Sequence, residues 1–417
     1  MQKLKIGLLS YRSARFGGGQ GVYVKDISSA LLSMGHSIDV ISGPPYPNLD
    51  KNIKLIKLPG LNLFETFSLK DRFKKLANKK NKNFNDYYEF VSAFFGGFPE
   101  PKTFGIRAKD FLSNNNTYDV IIDNQSLSYG MLEIQKKIPL IEIVHHPITV
   151  DYKYELDTSS SFKYRLSRHR WYSFLKMQKK VAPKLNKIIV PSVSSKRGVM
   201  KEFNVSEKKI TVINNGLNTN EFSPINGVIR NPNRIITTAS ADVPLKGLDF
   251  SLKALKRLKK EYPKMHLIVI GKIKENGHTE RLIKKLKLQE SVFFESGISK
   301  DDIKKLYATS SISIVSSLYE GFGYPVIEAM SCGVPLVATN VASIPELTGN
   351  YATLIEPKNP KMLSNAIRDI LNNYDYHINM AIEGRKHIIK TFNWTKITKQ
   401  YEDIIYKSIE DFNNANF

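Results

Sequence analysis

Ser316-Ser317-Leu318-Tyr319-Glu320-Gly321-Phe322-Gly323-Tyr324-Pro325-Val326-Ile327-Glu328-Ala329-Met330-Ser331-Cys332-Gly333 follows an apolar, β-branched run at 312–315 that reads as a buried strand. Gly321 and Gly323 mark a loop, and Pro325 suits a first helical position, where its missing N–H costs nothing. A helix over 326–332 would close at Gly333, with Pro335 just beyond. This order sets Glu320 in the loop and Glu328 in the first helical turn. Seven residues separate the two carboxylates, so one strand–loop–helix turn can aim both at one pocket. The glycines let backbone approach a ligand closely, and amides at a helix start suit phosphate oxygens. Carboxylates accept hydrogen bonds from sugar hydroxyls. The turn thus offers both halves of a nucleotide-sugar site. The plainer alternative is a surface Glu320 and a Glu328 favoured only by the helix dipole.

Glu320 to Ala329 resembles, residue for residue, the E-G-F-G-x-P-x-x-E-A signature of glycosyltransferase family 4. The resemblance implies an α/β fold of GT-B type, two doubly wound Rossmann-like domains facing a central cleft, and a retaining transferase. It also implies that Glu320 holds donor-sugar hydroxyls, that Glu328 holds the ribose, and that the amides of 323–326 take the diphosphate. Gly321, Phe322, Gly323 and Val326 join the expected donor-binding set, as do Gly271 and Gly297, which close strands at 266–270 and 292–295.

At 417 residues the chain has room for two full-sized domains, and 41% hydrophobic with 24% charged residues is a globular balance. The net charge of +23 favours a polyanionic partner: nucleic acid, an anionic membrane surface or acidic substrates. A single cysteine, Cys332, rules out an intrachain disulfide and fits a reducing compartment. No apolar run reaches the length of a signal h-region or a membrane span. The expectation is a cytoplasmic protein, peripheral on the inner face of the membrane.

The first half opens with a strand at 4–10, a glycine loop at 16–21 and a helical spacing over 22–34, a β-loop-α unit of a doubly wound sheet. In the resembled family such a loop lies near the transferred sugar, which puts Gly18 and Gly19 in the donor site. Periodicity weakens over 51–101, where a basic stretch at 70–82 precedes an aromatic-rich one at 89–98. A strand at 139–144 ends in His145-His146-Pro147, at the strand end where doubly wound folds place ligands. The family's donor-sugar histidine falls at His145. No third ligand lies nearby at metal spacing, so no metal site is expected. Residues 163–184 carry eight cations and no acid, with Tyr164, Trp171, Tyr172 and Phe174 interleaved. That composition predicts a surface for anionic lipid headgroups, through Arg165, Arg168, Arg170, Trp171 and Tyr172. A nucleic-acid face would look similar, but no helix-turn-helix, finger or RNA-binding signature accompanies it.

Strands and helices go on alternating after 200, so the expected domains are 1–200 and 201–393, with a final helix from 394 packing back on the first. Lys246, before a helix at 248–262, is the expected diphosphate partner and a catalytic residue with His145 and Glu320. The family's Arg a few residues earlier is missing: Ser240 and Ala241 stand there. No Asp-x-Asp pair occurs, which points away from a metal-held diphosphate and to no cofactor. The expected function is transfer of glucose or a related hexose from a UDP-sugar to a lipid such as diacylglycerol. The alternatives are a soluble transferase acting on a sugar, sugar acid or polysaccharide precursor, and a nucleic-acid-binding protein.

Overall fold

The computed structural model describes residues 2–13, 19–64, 66, 68–115, 117–157 and 161–415. Two units make up the chain. The first comprises Met1–Asn214 and Ile397–Phe417, and the second Asn215–Lys396.

In the first unit, β1 (Lys5–Ser10), α1 (Gly19–Ser33), β2 (Ser37–Ser42) and β3 (Lys54–Lys57) are followed by three helices, α2 (Leu69–Asn78), α3 (Phe84–Phe94) and α4 (Glu100–Ser113). Next come β4 (Val120–Asn124), α5 (Tyr129–Ile134), β5 (Leu140–Ile143), α6 (Thr149–Asp157), α7 (Phe162–Trp171) and α8 (Leu175–Val181). The unit's main run closes with β6 (Lys187–Val190), α9 (Val193–Phe203) and β7 (Ile210–Val212). The sheet is parallel, in the order β3-β2-β1-β4-β5-β6-β7. β4 and β5 are buried along their whole length, which is why they read as mostly apolar rather than alternating, with Asp123, Asn124 and Glu142 as the polar exceptions. β7 pairs with β6, so the first unit runs on to Asn214, past the expected boundary at 200. Residues 51–101, where periodicity is weak, hold β3, α2 and α3. No residue of α2 is buried, so it leaves little inward-facing pattern to read.

In the second unit the elements are β8 (Asn231–Thr238), α10 (Leu248–Leu258), β9 (His266–Ile270), α11 (His278–Leu286), β10 (Val292–Glu295), α12 (Lys300–Thr309) and β11 (Ser310–Val315). They continue with α13 (Tyr324–Ser331), β12 (Leu336–Thr339), α14 (Ile344–Thr348), β13 (Thr353–Ile355), α15 (Pro360–Asn372) and α16 (Tyr374–Thr391). This sheet too is parallel, in the order β10-β9-β8-β11-β12-β13. Strand order reverses between β8 and β11, and in the first sheet between β1 and β4. Crevices at the carboxyl ends of such strands are where doubly wound sheets take ligands.

The last helix, α17 (Trp394–Ala415), contributes its residues from Ile397 onward to the first unit. Tyr401 and Tyr23 of α1 share a buried hydroxyl hydrogen bond of 2.7 Å. His36 Nε2 donates to Glu402 Oε1 at 2.9 Å, while His36 Nδ1 accepts from Leu4 N. Among the described residues, no helix is long and apolar enough to cross a membrane.

Candidate active site

In the second unit, Lys246 ends the turn after β8, and Glu320 lies in the loop after β11, so the two flank the reversal of strand order. They meet. Lys246 Nζ donates to Glu320 Oε1 at 2.8 Å, and Ser317 Oγ donates to the same oxygen at 2.7 Å. Glu320 is buried and Lys246 half-buried, so the pair is partly shielded from screening by water. The two loops are stitched together behind it. Leu318 N donates to Leu245 O at 2.7 Å, and Ser316 Oγ to Gly247 O at 2.9 Å. Gly247 has φ +62°, and a Cβ there would collide with the Ser316 carbonyl, so only glycine lets the loops approach this closely. Ser343 holds the loop from the other side: its buried hydroxyl donates to Glu320 O at 2.9 Å and also reaches Phe322 O.

The helix expected after this loop is α13. It starts at Tyr324, so Glu328 falls in the second turn rather than the first. Tyr307 OH donates to Glu328 Oε2 at 3.4 Å and lies 3.2 Å from Thr238 Oγ1. Burial first, then the Glu328 carboxylate, push the Tyr307 phenol well above its ordinary pKa, so it stays a neutral donor. Gly323, at φ +115°, makes the turn into α13. Two of the expected donor-binding residues have buried side chains. Phe322 packs edge-on against Tyr324 and Phe392, so its ring belongs to the core. Val326 is fully buried, and its amide donates to Gly323 O at 3.0 Å. Gly271 is needed for packing, because a Cβ there would strike the Ala239 carbonyl. Gly297 is a turn glycine at φ +69° with open space around it. Neither contributes a side chain to the Lys246–Glu320 pair.

In the first unit, His145 follows β5 and is fixed at three points. Its backbone N donates to Gln125 Oε1 at 2.9 Å, its carbonyl accepts from Ser195 Oγ at 2.9 Å, and its ring Nε2 donates to Asn124 Oδ1 at 2.8 Å. Tyr23 meets the ring edge-on, 4.7 Å between centroids. Desolvation, with the neighbouring His146 second, lowers the His145 pKa to about 3, so the imidazole is neutral across the physiological range. With Nε2 donating to Asn124, Nδ1 is the acceptor nitrogen of the neutral ring. Beneath it, Asp123 of β4 and Glu142 of β5 are register partners in adjacent strands, both fully buried. Ser126 donates twice to Asp123, and Leu127 N donates to Glu142. Burial first, then the neighbouring Asp123, push the Glu142 carboxyl well above the usual carboxylate range. Gly18 lies outside the described residues; Gly19 begins α1.

Of the aromatic residues in 163–184, Tyr172 and Phe174 are buried and Tyr164 and Trp171 half-buried. Tyr172 is buried and its hydroxyl donates to Glu155 Oε1 at 2.9 Å. Trp171 stacks on Phe98 at 5.1 Å and also packs against Phe64. Both are anchors of the first core, because the apolar partners they meet come from distant parts of the chain. Arg168 pairs with Glu155 of α6 at 3.2 Å, whereas Arg165 and Arg170 are exposed.

Ser317 and Ser343 are the site residues that motif reading misses. Ser317 lies within the quoted stretch, but a serine ending a strand carries no distinctive signal. Ser343 lies 23 residues from Glu320, and no spacing rule links them.

The sequence signature described as Glycosyltransferase Family 4 matches residues 17–221, and that described as Glycosyl transferases group 1 matches 219–387. The chain is 37% identical over 412 residues to the MMP alpha-(1->4)-mannosyltransferase of Mycolicibacterium hassiacum, covering 97% of this chain and 98% of that protein. It is 23% identical to the N-acetyl-alpha-D-glucosaminyl L-malate synthase of Bacillus anthracis, over 99% of both. Among solved structures, the sucrose-phosphate synthase of Thermosynechococcus elongatus superposes with a TM-score of 0.75 at 19% identity, covering 97% of this chain and 99% of that one.

Proposed function

Because the chain belongs to glycosyltransferase family 4, we propose that it moves a hexosyl group, mannose first, from a nucleotide-diphosphate sugar to a hydroxyl of a carbohydrate acceptor. The observation that carries this reading is the Lys246–Glu320–Ser317 cluster at the strand-order reversal, in a chain alike over nearly its whole length to an alpha-(1->4)-mannosyltransferase. In the reaction the bond from the anomeric carbon to the β-phosphate oxygen breaks, and one from that carbon to the acceptor oxygen forms. The acceptor proton leaves with the diphosphate. An α-linked product from an α-linked donor is net retention.

Lys246 is the cation for the leaving diphosphate. In the resting site it is already desolvated on one side by Glu320, so it acts as a preorganised donor. Glu320, its carboxylate oriented by Ser317, accepts from donor-sugar hydroxyls, and Glu328, oriented by Tyr307, accepts from the ribose. His145 offers Nδ1 to the sugar. The second reading, a UDP-linked glucose carried to a diacylglycerol-type lipid, is favoured by the exposed aromatic residues of α3.

Incubating the purified protein with GDP-mannose, UDP-mannose and UDP-glucose, each against manno-oligosaccharides and diacylglycerol vesicles, tests both readings. Product masses should show one added hexose on the oligosaccharide. A glycolipid with no oligosaccharide product would replace the first reading with the second.

A further inference from the structure

We propose that the outward face of α2 and α3 docks this enzyme on an anionic lipid bilayer. α3 is built inside out. Phe84, Tyr87, Val91 and Phe94 recur at helical spacing and are all exposed, Phe84 at 81%. The acids of α3 point the other way: Asp86 and Glu89 are buried, both paired to Arg107, with Lys79 also on Asp86 and Thr103 donating to Glu89. A helix that hides its carboxylates and shows its phenylalanines reverses the usual arrangement of a surface helix.

The apolar surface is continuous. Phe73 of α2, itself exposed, sits 4.8 Å from Phe90 between ring centroids. Phe90 lies 6.5 Å from Phe94, and Phe94 lies 5.3 Å from Phe95, which is 61% exposed. Single exposed apolar residues are ordinary; a connected aromatic strip marks an interaction surface.

Charge identifies the occupant. Lys70, Lys74, Lys80 and Lys82 are exposed along the same segment, and between 68 and 98 the one exposed acid is Asp71. A second copy of this face would bring those lysines against like charge. A neutral glycan has no use for them. Anionic headgroups do, and aromatic rings flanked by cations suit the layer between headgroups and acyl chains. α7, whose last residue Trp171 stacks on the buried Phe98 just beyond α3, adds exposed Lys163, Arg165 and Arg170, with Phe162 at 78% exposure. The membrane-facing aromatic residues are thus those of α2 and α3, not Trp171 and Tyr172. The proposal does not rest on the donor or acceptor assignment.

The test is co-sedimentation of the full chain with phosphatidylcholine vesicles, with and without phosphatidylglycerol. The wild type should bind only the phosphatidylglycerol vesicles, with a remainder that resists salt. The triple variant Phe84→Ser, Val91→Ser, Phe94→Ser should partition at least about 10-fold less and lose the salt-resistant part. Lys70→Glu with Lys74→Glu should lower binding chiefly at low salt. As an independent reporter, Phe84→Trp should be quenched by brominated acyl chains. Equal partitioning of the wild type and the triple variant, no binding by the wild type, or an unquenched Phe84→Trp would overturn the proposal. So would a dimer of the wild type in sedimentation velocity that the triple variant converts to monomer, which would assign the face to a second copy.

Discussion

Ser343→Ala tests whether the site depends on the backbone of its loop or only on the side chains of the motif. The Ser343 hydroxyl serves the carbonyls of Glu320 and Phe322 with a single proton, so its removal costs one shared bond. A buried carbonyl left without its donor costs about 1–3 kcal/mol. Thr339 Oγ1 still donates to Ser317 O, and Leu318 N still donates to Leu245 O, so the loop should shift rather than unfold. If about half of that energy had kept Glu320 in register, kcat/KM should fall roughly 2- to 10-fold, since ~1.4 kcal/mol corresponds to a tenfold rate change. Because the displaced group is proposed to act on the sugar, kcat should fall more than donor affinity. Steady-state kinetics with the active nucleotide-sugar, beside thermal melting of both proteins, separates this from simple destabilisation. Wild-type kcat/KM in Ser343→Ala would refute the reasoning. So would a loss fully matched by the unfolded fraction at the assay temperature.

Lys246→Gln should weaken nucleotide diphosphate binding by about 1.5–3 kcal/mol, the worth of a charge-assisted hydrogen bond, readable by titration calorimetry with GDP and UDP. His145→Ala should lower turnover while leaving nucleotide affinity within about twofold, since His145 is proposed to meet the sugar. Transfer should survive exhaustive chelation, with Lys246 as the proposed diphosphate cation; loss that magnesium or manganese restores would overturn that assignment. The Asp123–Glu142 pair sets a pH dependence. With the Glu142 carboxyl raised in the folded state, the folded protein binds more protons than the unfolded one, so stability is fullest below the unfolded carboxyl pKa and declines as pH rises toward the folded value. Glu142→Gln supplies a permanent donor and should flatten that decline, whereas Glu142→Ala should lower the melting temperature by removing the neighbouring acid that shares a proton with the buried Asp123 carboxylate, which keeps its bonds from Ser126.

Parallel strands buried on both faces are legible because their runs are mostly apolar, and β5, β9 and β11 all lie within a few residues of their expected places. The Glu320 loop is legible for a different reason: its glycines and carboxylates sit at spacings that backbone geometry and ligand chemistry jointly restrict. Trp171 shows where such reading stops. An aromatic residue among cations looks interfacial, yet its partners come from residues 64 and 98, and only the fold brings them together. Periodicity also finds a helical face without saying which way it points. In α3 the apolar face looks outward, so a rule that equates apolar with buried misplaces it. Ser343 is silent in sequence because its contacts are to backbone, which every residue possesses.

The closure of the first unit by residues beyond Ile397 has a consequence for how the protein is made. Tyr23 waits for Tyr401, 378 positions later, and His36 waits for Glu402, 366 positions later. The second unit, continuous from Asn215 to Lys396, has all its strands on the growing polypeptide before those partners leave the ribosome. Domains commonly fold in the order of their synthesis. Here the unit begun first is finished last, and its nascent sheet must stay soluble with α1 uncapped while more than a hundred further residues are added. A ribosome stalled near residue 396 would therefore carry a first unit without its closing helix, with Tyr23 and His36 still accessible to a chaperone.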